Sequence, residues 1–248
     1  MIVKSKAIVL TSLKYGDTDL IVKCFTEEGI KSYLLKRIFK PKSKKPRTAS
    51  GQLNTAYFQP LTQLNITANH NNKGNLNSIR EAGISYMYQS VSTDIYKQSI
   101  ALFLAEVLAL SLKEEERNKI LFQYIETAFI WLDNHNSIAN FHLLFLLNLS
   151  KYLGFYPESK NINANYFDLV EGIYCNYKPL NNYVLGENLI YFKSLIGIKF
   201  DDIERLELNS RSRKIVLNIL LEYYELHLPG FKKPKSLNVL NEVFNEIS

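Results

Sequence analysis

The sequence contains 248 residues, of which 46% are hydrophobic and 22% are charged, a composition typical of a soluble globular protein with a sizeable core. Residues 1–60 carry 12 basic and 4 acidic side chains, a net charge of +8, whereas the remaining residues carry 18 basic and 20 acidic ones. The most apolar run, Ile100–Leu112, is broken by Glu106 and is shorter than the ~18–20 residues of a membrane span, which argues against a membrane protein.

The N-terminal residues alternate β-branched and aromatic runs with glycine-bearing turns, which predicts a meander of three antiparallel strands. Two further strands are expected after a basic segment. The five predicted strands are Lys6–Thr11, Leu20–Thr26, Ile30–Lys36, Asn54–Phe58 and Gln63–Asn69. Five short strands within about 70 residues favour an OB-fold barrel, with an SH3-like barrel as the main alternative. We place this domain at residues 1–75, because the polar segment Asn71–Gly83 ends it.

The basic segment lies between the third and fourth predicted strands. Pro41 and Pro46 remove backbone donors, so we expect a loop rather than a helix or a central strand. Its charge favours contacts with nucleic-acid phosphates, and a solvated charge run or a localisation signal is the alternative. The seven basic residues are Lys36, Arg37, Lys40, Lys42, Lys44, Lys45 and Arg47. Tyr33, Tyr57 and Phe58 are candidates for base stacking.

The pattern becomes helical after residue 75, so an α-helical domain is expected over residues 76–248, which makes the chain an α+β protein. The predicted helices are Asp94–Leu112, Glu115–Asn134, Asn140–Leu153, Glu187–Ile196, Asp201–Leu206 and Ser210–Leu228, followed by a short amphipathic one after Ser236. A small irregular insertion is expected at about residues 158–182, with a hairpin formed by Tyr166–Leu169 and Ile173–Tyr177.

No catalytic or metal-binding motif is present in the sequence, so we expect neither catalytic residues nor a metal site. Cys24 and Cys175 lie far apart in the sequence and are interpreted as free thiols of a reducing cytoplasm. A single disulfide between them is the alternative interpretation. A second basic group, Arg211, Arg213 and Lys214, opens the long late helix. This group is a possible secondary anion-binding site, with solvation as the default interpretation.

Several motifs together resemble the RecO family of bacterial recombination mediators. They are AIVLTSLKYGDTDLIVKCFTEEGI, with YGDTD at Tyr15–Asp19 as its most specific part, the basic KRIFKPKSKKPR, LGFYP at Leu153–Pro157 and YYELHLPGFKKPKSL near the C-terminus. The resemblance implies an N-terminal OB-fold, a helical domain and no enzymatic activity. It also implies binding of single- and double-stranded DNA through the Lys36–Arg47 segment, strand annealing, and loading of recombinase together with RecR and the single-strand binding protein.

The resemblance also implies a location in the cytoplasm, in association with the nucleoid, and contact with the acidic C-terminal tail of the single-strand binding protein. Many relatives have a four-cysteine zinc module after the LGFYP-like segment, but Glu158–Asn182 contains Cys175 alone. Zinc is therefore not expected, and the Tyr166–Tyr177 hairpin is expected to pack in its place. The alternative function is that of an OB-fold RNA-binding or ribosome-associated factor.

Overall fold

The computed structural model describes residues 1–39, 53–71, 76–112 and 117–245. The chain divides into two compact units. The N-terminal unit contains Met1–Thr93 and Ala101–Ile130, and the C-terminal unit contains Asp94–Ile100 and Trp131–Ser248. Among the described helices, none is long and apolar enough to cross a membrane.

The N-terminal unit is built on a five-stranded antiparallel sheet with the strand order β3-β2-β1-β4-β5. Its strands are β1 (Ile2–Tyr15), β2 (Asp19–Thr26), β3 (Gly29–Leu35), β4 (Gln63–Asn69) and β5 (Ser78–Tyr86). The sheet is not closed. An isolated parallel bridge joins Tyr33 of the edge strand β3 to Asn77, the residue before β5, and the Leu34 amide donates to the Asn77 carbonyl at 2.8 Å. The prediction of an OB-fold followed by a helical region is confirmed.

One predicted strand is wrong and another was missed. Residues 54–58 do not form a strand, because Asn54 caps a 3-10 helix at Thr55–Phe58, its side-chain oxygen accepting from the Ala56 amide at 3.1 Å. Asparagine side chains often favour local turns over extended structure in this way. The fifth strand is β5, whose side chains are mostly exposed, so the alternation that reveals a half-buried strand is weak. The sheet therefore continues past residue 75, where we expected the domain to end.

The apolar side chains on one face of the sheet form the core of the N-terminal unit. Val9, Val22, Cys24, Tyr33, Phe58 and Leu64 belong to this buried cluster. The other face of the sheet packs on helices, since the Phe25 and Phe122 rings lie 5.7 Å apart. Polar contacts strengthen this packing: Gln63 Nε2 donates to the Glu126 carbonyl at 3.0 Å, and Lys6 pairs with the Glu126 carboxylate at 2.7 Å.

The helices follow the predicted order. They are α1 (Ile95–Ser111), α2 (Lys119–Asn134), α3 (Phe141–Tyr152), α4 (Gly186–Ser194), α5 (Ser210–His227) and α6 (Leu237–Asn245). Asp94 caps α1 by accepting from the Tyr96 and Lys97 amides at 2.8 and 3.1 Å. The helix predicted at Asp201–Leu206 is a 3-10 helix at Phe200–Arg205.

A small three-stranded sheet lies between α3 and α4 in the sequence. Its strands are β6 (Tyr166–Asp168), β7 (Ile173–Cys175) and β8 (Tyr183–Leu185), in the order β7-β6-β8. The predicted hairpin is confirmed as β6 and β7. The third strand, β8, was missed because it pairs with β6 across a longer stretch of chain, so no tight-turn signal like the one between β6 and β7 marks it.

Candidate nucleic-acid interface

The basic segment begins directly after β3, and only its first residues are described. Lys36 and Arg37 are exposed. Arg37 has a φ of 58°, a left-handed conformation that a non-glycine residue adopts only when its surroundings hold it there. The other five predicted contact residues, Lys40, Lys42, Lys44, Lys45 and Arg47, lie outside the described residues, so their assignment stays a prediction.

The turn between β1 and β2 holds the start of this segment. The Arg37 amide donates to Asp19 Oδ1 at 2.8 Å, and the same oxygen accepts from Thr18 Oγ1 at 2.8 Å. The Phe39 amide then donates to the Thr18 carbonyl at 3.1 Å. The bond from the Arg37 amide, followed by that from Thr18, lowers the pKa of Asp19 below its ordinary value of 3.8. Asp19 is thus ionised at neutral pH and fixes the left-handed residue where the basic segment leaves the sheet.

The tip of the β1–β2 hairpin also carries exposed cationic and aromatic side chains. Lys14 Nζ lies 5.8 Å from the centroid of the Phe39 ring, within the range of a cation–π contact. Phe39 and Tyr15 are 42% and 58% exposed. Charge and aromatic surface therefore occur together at the point where the basic segment begins, which is the combination used by proteins that bind single strands.

Two of the three aromatic residues considered for base stacking are buried in the core. Tyr33 and Phe58 are 0% and 1% exposed, and the Tyr33 hydroxyl is hydrogen-bonded to His70 Nε2 at 3.1 Å. Tyr57 packs against the same core and is partly buried. Tyr33 and Phe58 therefore cannot stack on bases, because both rings belong to the buried cluster on the inner side of the sheet.

The predicted secondary basic site is only partly available to a ligand. Arg211 and Lys214 are exposed on α5, whereas Arg213 is half-buried and its Nη1 donates to the Leu208 carbonyl at 2.5 Å. Burial lowers the pKa of the Arg213 guanidinium. A cavity of about 30 Å³ beside Arg213 and Lys214 is lined by His142, whose pKa is lowered to about 3, first by burial and then by the charge of Arg213. His142 is therefore neutral, and Arg211 and Lys214 are the two cations here that face solvent.

The side chains of the β6–β7 hairpin do not fit a zinc site. The thiol of Cys175 donates to the Tyr177 carbonyl at 3.3 Å, and residues 158–182 contain no second cysteine. The ring of Phe167 instead packs on Tyr174 and Phe192, with centroids 4.8 and 5.0 Å away. Across the described ranges, no group of three or more His, Cys, Asp or Glu side chains is arranged to hold a metal ion. The expectation that the protein binds no zinc stays a prediction.

Two family models match nearly the whole chain. The model described as Recombination protein O N terminal matches residues 1–88, and the one described as Recombination protein O C terminal matches residues 92–237. The chain belongs to the RecO family. It is 45% identical to the DNA repair protein RecO of Flavobacterium psychrophilum over 246 residues, which cover 99% of this chain and 100% of that protein. The DNA repair proteins RecO of Christiangramia forsetii and Bacteroides fragilis are 43% and 36% identical, again over 98–99% of this chain and 100% of each relative.

In this RecO-family chain, the residues that sequence reasoning missed are those that hold and flank the basic segment. Asp19, Thr18, Phe39 and Tyr15 were not among the predicted contact residues. The signal was present, because Tyr15–Asp19 is the motif most specific to the family resemblance. Its acidic residues, however, gave no reason to place it beside the start of the basic segment.

Proposed function

We propose that this chain is a DNA-binding recombination mediator without enzymatic activity. Its membership of the RecO family supports a role in DNA repair. The observation that carries the proposal is the seven-cation segment, whose first residues follow the edge strand of an OB-fold sheet and are held there by Asp19. DNA is the expected ligand of such a segment, and a protein with this ligand would act in the cytoplasm at the nucleoid.

The proposed mechanism is electrostatic. Lysine and arginine side chains of the segment neutralise backbone phosphates and release condensed counterions, which gives binding that is independent of sequence. Both single-stranded and double-stranded DNA present the required phosphates. Annealing follows if one molecule, or two neighbouring ones, lowers the repulsion between two complementary strands. In a separate activity, the chain works with RecR and the single-strand binding protein to load a recombinase on DNA.

The test compares affinity for single-stranded DNA, duplex DNA and structured RNA at one salt concentration. We expect both DNA forms to bind, and the quadruple variant Lys42→Ala, Lys44→Ala, Lys45→Ala and Arg47→Ala to bind both more weakly. Its log K should depend less steeply on log salt, by roughly 0.7–0.9 for each phosphate that the variant no longer neutralises. A clear preference for structured RNA over both DNA forms would instead favour the RNA-binding alternative.

We further propose that the C-terminal unit binds the acidic tail of the single-strand binding protein. A short tail with acidic and apolar residues requires apolar surface with cations at its rim. Arg211 and Lys214 are exposed cations of α5, and Lys214 borders the small cavity lined by Leu217, Leu240 and Phe244. At about 30 Å³ this cavity is much smaller than the pockets of several hundred Å³ that enclose ligands, so the tail would lie across its rim.

A labelled tail peptide titrated against the protein tests this second proposal. We expect a Kd in the micromolar range, where 1 μM corresponds to about −8 kcal/mol. The double variant Arg211→Ala and Lys214→Ala should weaken binding of the peptide, whereas the quadruple variant of the basic segment should retain it. The reverse result would mean that the acidic tail merely competes for the DNA site.

A further inference from the structure

The C-terminal unit contains a second, larger cavity of about 450 Å³, a volume within the range of sites that enclose ligands. Its wall is formed by the start of α1, the residues between α2 and α3, the 3-10 helix with the residue that follows it, and α6. Ile138, Ile203 and Leu206 are buried and give the wall an apolar part. The cavity can therefore hold the apolar portion of a ligand.

The polar part of the wall carries negative charge. Asp94 and Glu204 contribute carboxylates, and none of the described lining residues is basic. Asp94 Oδ1 caps α1, so the N-terminus of that helix offsets part of its charge. Glu204 is exposed, and its Oε1 accepts from the hydroxyl of Ser137, a neutral donor, at 2.5 Å. The charge of Glu204 is therefore the main attraction for a cation at this cavity.

The basic residues that adjoin these segments in the sequence are directed elsewhere. Lys97 is 2% exposed, and its Nζ donates to the Asp133 carbonyl at 3.0 Å. Arg205 pairs with Asp202 at 3.0 Å. Neither cation lines the cavity, so a bound ligand has to bring its own positive charge.

Asn140 supplies a further acceptor. It is the N-cap residue of α3, yet its side chain makes no capping hydrogen bond, although asparagine at this position normally accepts from the first amides of the helix. Its Nδ2 instead donates to the Leu206 carbonyl at 2.9 Å, which fixes the orientation of the amide because a carbonyl can only accept. Oδ1 is buried and accepts no hydrogen bond from the described part of the chain. A buried acceptor of this kind needs a donor, and a ligand with N–H groups can supply it.

Two aromatic rings complete the lining. Tyr96 and Phe244 are half-buried, and their rings meet edge to face with centroids 5.7 Å apart. Aromatic faces attract cations, and arginine more often than lysine. A guanidinium group is weakly hydrated and presents several N–H donors to carboxylate and amide oxygens, whereas an ammonium group is a strongly hydrated point charge. Rings, carboxylates and an unpaired acceptor together therefore favour a guanidinium group.

We propose that this cavity binds an arginine side chain that a partner protein presents within a short apolar segment. Glu204 and Asp94 provide the opposite charge, and Asn140 Oδ1 accepts a hydrogen bond from the ligand. The apolar part of the wall favours a peptide over a free guanidinium compound, because the residues that flank the arginine have a surface to contact. The partner differs in charge from DNA and from the acidic tail assigned to Arg211 and Lys214, so the site goes beyond the proposed function.

The experiment measures, by fluorescence polarisation, the binding of a labelled pentapeptide with one central arginine between leucines. The comparison peptide has citrulline, which is neutral and close to arginine in shape. We expect the wild type to prefer the arginine peptide roughly tenfold or more. Glu204→Gln should reduce this preference roughly 3- to 10-fold, between the effects of losing an exposed ion pair and a charged hydrogen bond. The matched control is Glu207→Gln, which removes an exposed carboxylate that does not line the cavity and should keep the full preference.

The outcomes separate this site from general electrostatic attraction and from the proposed function. Equal binding of the two peptides by the wild type would overturn the cation site. A loss of preference in Glu207→Gln as large as that in Glu204→Gln would overturn it too, because the peptide would then respond to net charge alone. Agmatine, a guanidinium compound without a peptide, should displace the arginine peptide only at much higher concentration, and displacement at equal concentration would overturn the assignment to a partner protein. The quadruple variant of the basic segment should bind the arginine peptide as the wild type does, whether or not its DNA binding changes, and loss of the peptide there would place the peptide outside this cavity.

Discussion

Replacing Lys36 and Arg37 together by alanine tests whether the described start of the basic segment touches phosphates. Both residues are exposed, and each phosphate contact adds about 0.7 to the slope of log K against log salt for a single strand. Removing both cations therefore reduces the slope by about 1.4. Between about 50 and 200 mM salt, the affinity advantage of the wild type over the double variant should shrink roughly sevenfold.

Fluorescence anisotropy with labelled oligo-dT at several salt concentrations measures both slopes. The matched control is the double variant Lys160→Ala and Arg205→Ala, which removes the same number of charges. These two cations are exposed and lie in ion pairs of the C-terminal unit, with Glu158 at 3.3 Å and Asp202 at 3.0 Å. If the control flattens the salt dependence as much as the Lys36 and Arg37 variant does, net charge rather than local contact governs binding, and the assignment fails.

Three further predictions concern Asp19 and zinc. Asp19→Ala should weaken DNA binding although it removes a negative charge, because the basic segment loses the acceptor of the Arg37 amide. A gain in affinity would show that Asp19 acts only through its charge. Since the folded-state pKa of Asp19 lies below 3.8, its stabilising bonds should be complete above pH 3.8 and break as the pH falls through that lower value. The chemical shift of the Arg37 amide should follow this titration, and should not do so in Asp19→Asn. Elemental analysis should find no stoichiometric zinc, and a chelator should leave the melting temperature unchanged; one zinc per chain would contradict the interpretation of residues 158–182.

The parts of the fold that were predictable are those with a strong local pattern. Strand β2 carries alternating buried side chains, and α2 has one apolar stripe, so each shows the period of its structure. Strand β5 was missed because its side chains are largely exposed and it joins the sheet through backbone bonds to β4. Backbone pairing by itself leaves no periodic pattern in the sequence, and the short β8 is a second case of the same kind.

The candidate site shows the same division between local and long-range information. The density of basic residues after β3 is a local property, so the sequence alone indicated where phosphate contacts are expected. The position of the start of that segment depends on a bond between residues 18 positions apart, from the Arg37 amide to Asp19, and no local pattern encodes it. Exposure is equally non-local, since Tyr15 and Tyr33 are both strand tyrosines and only the packing of the sheet makes the first exposed and the second buried. A short acidic turn next to a basic segment, in a chain with a predicted OB-fold, therefore indicates a residue that holds the segment in place rather than one that repels its ligand.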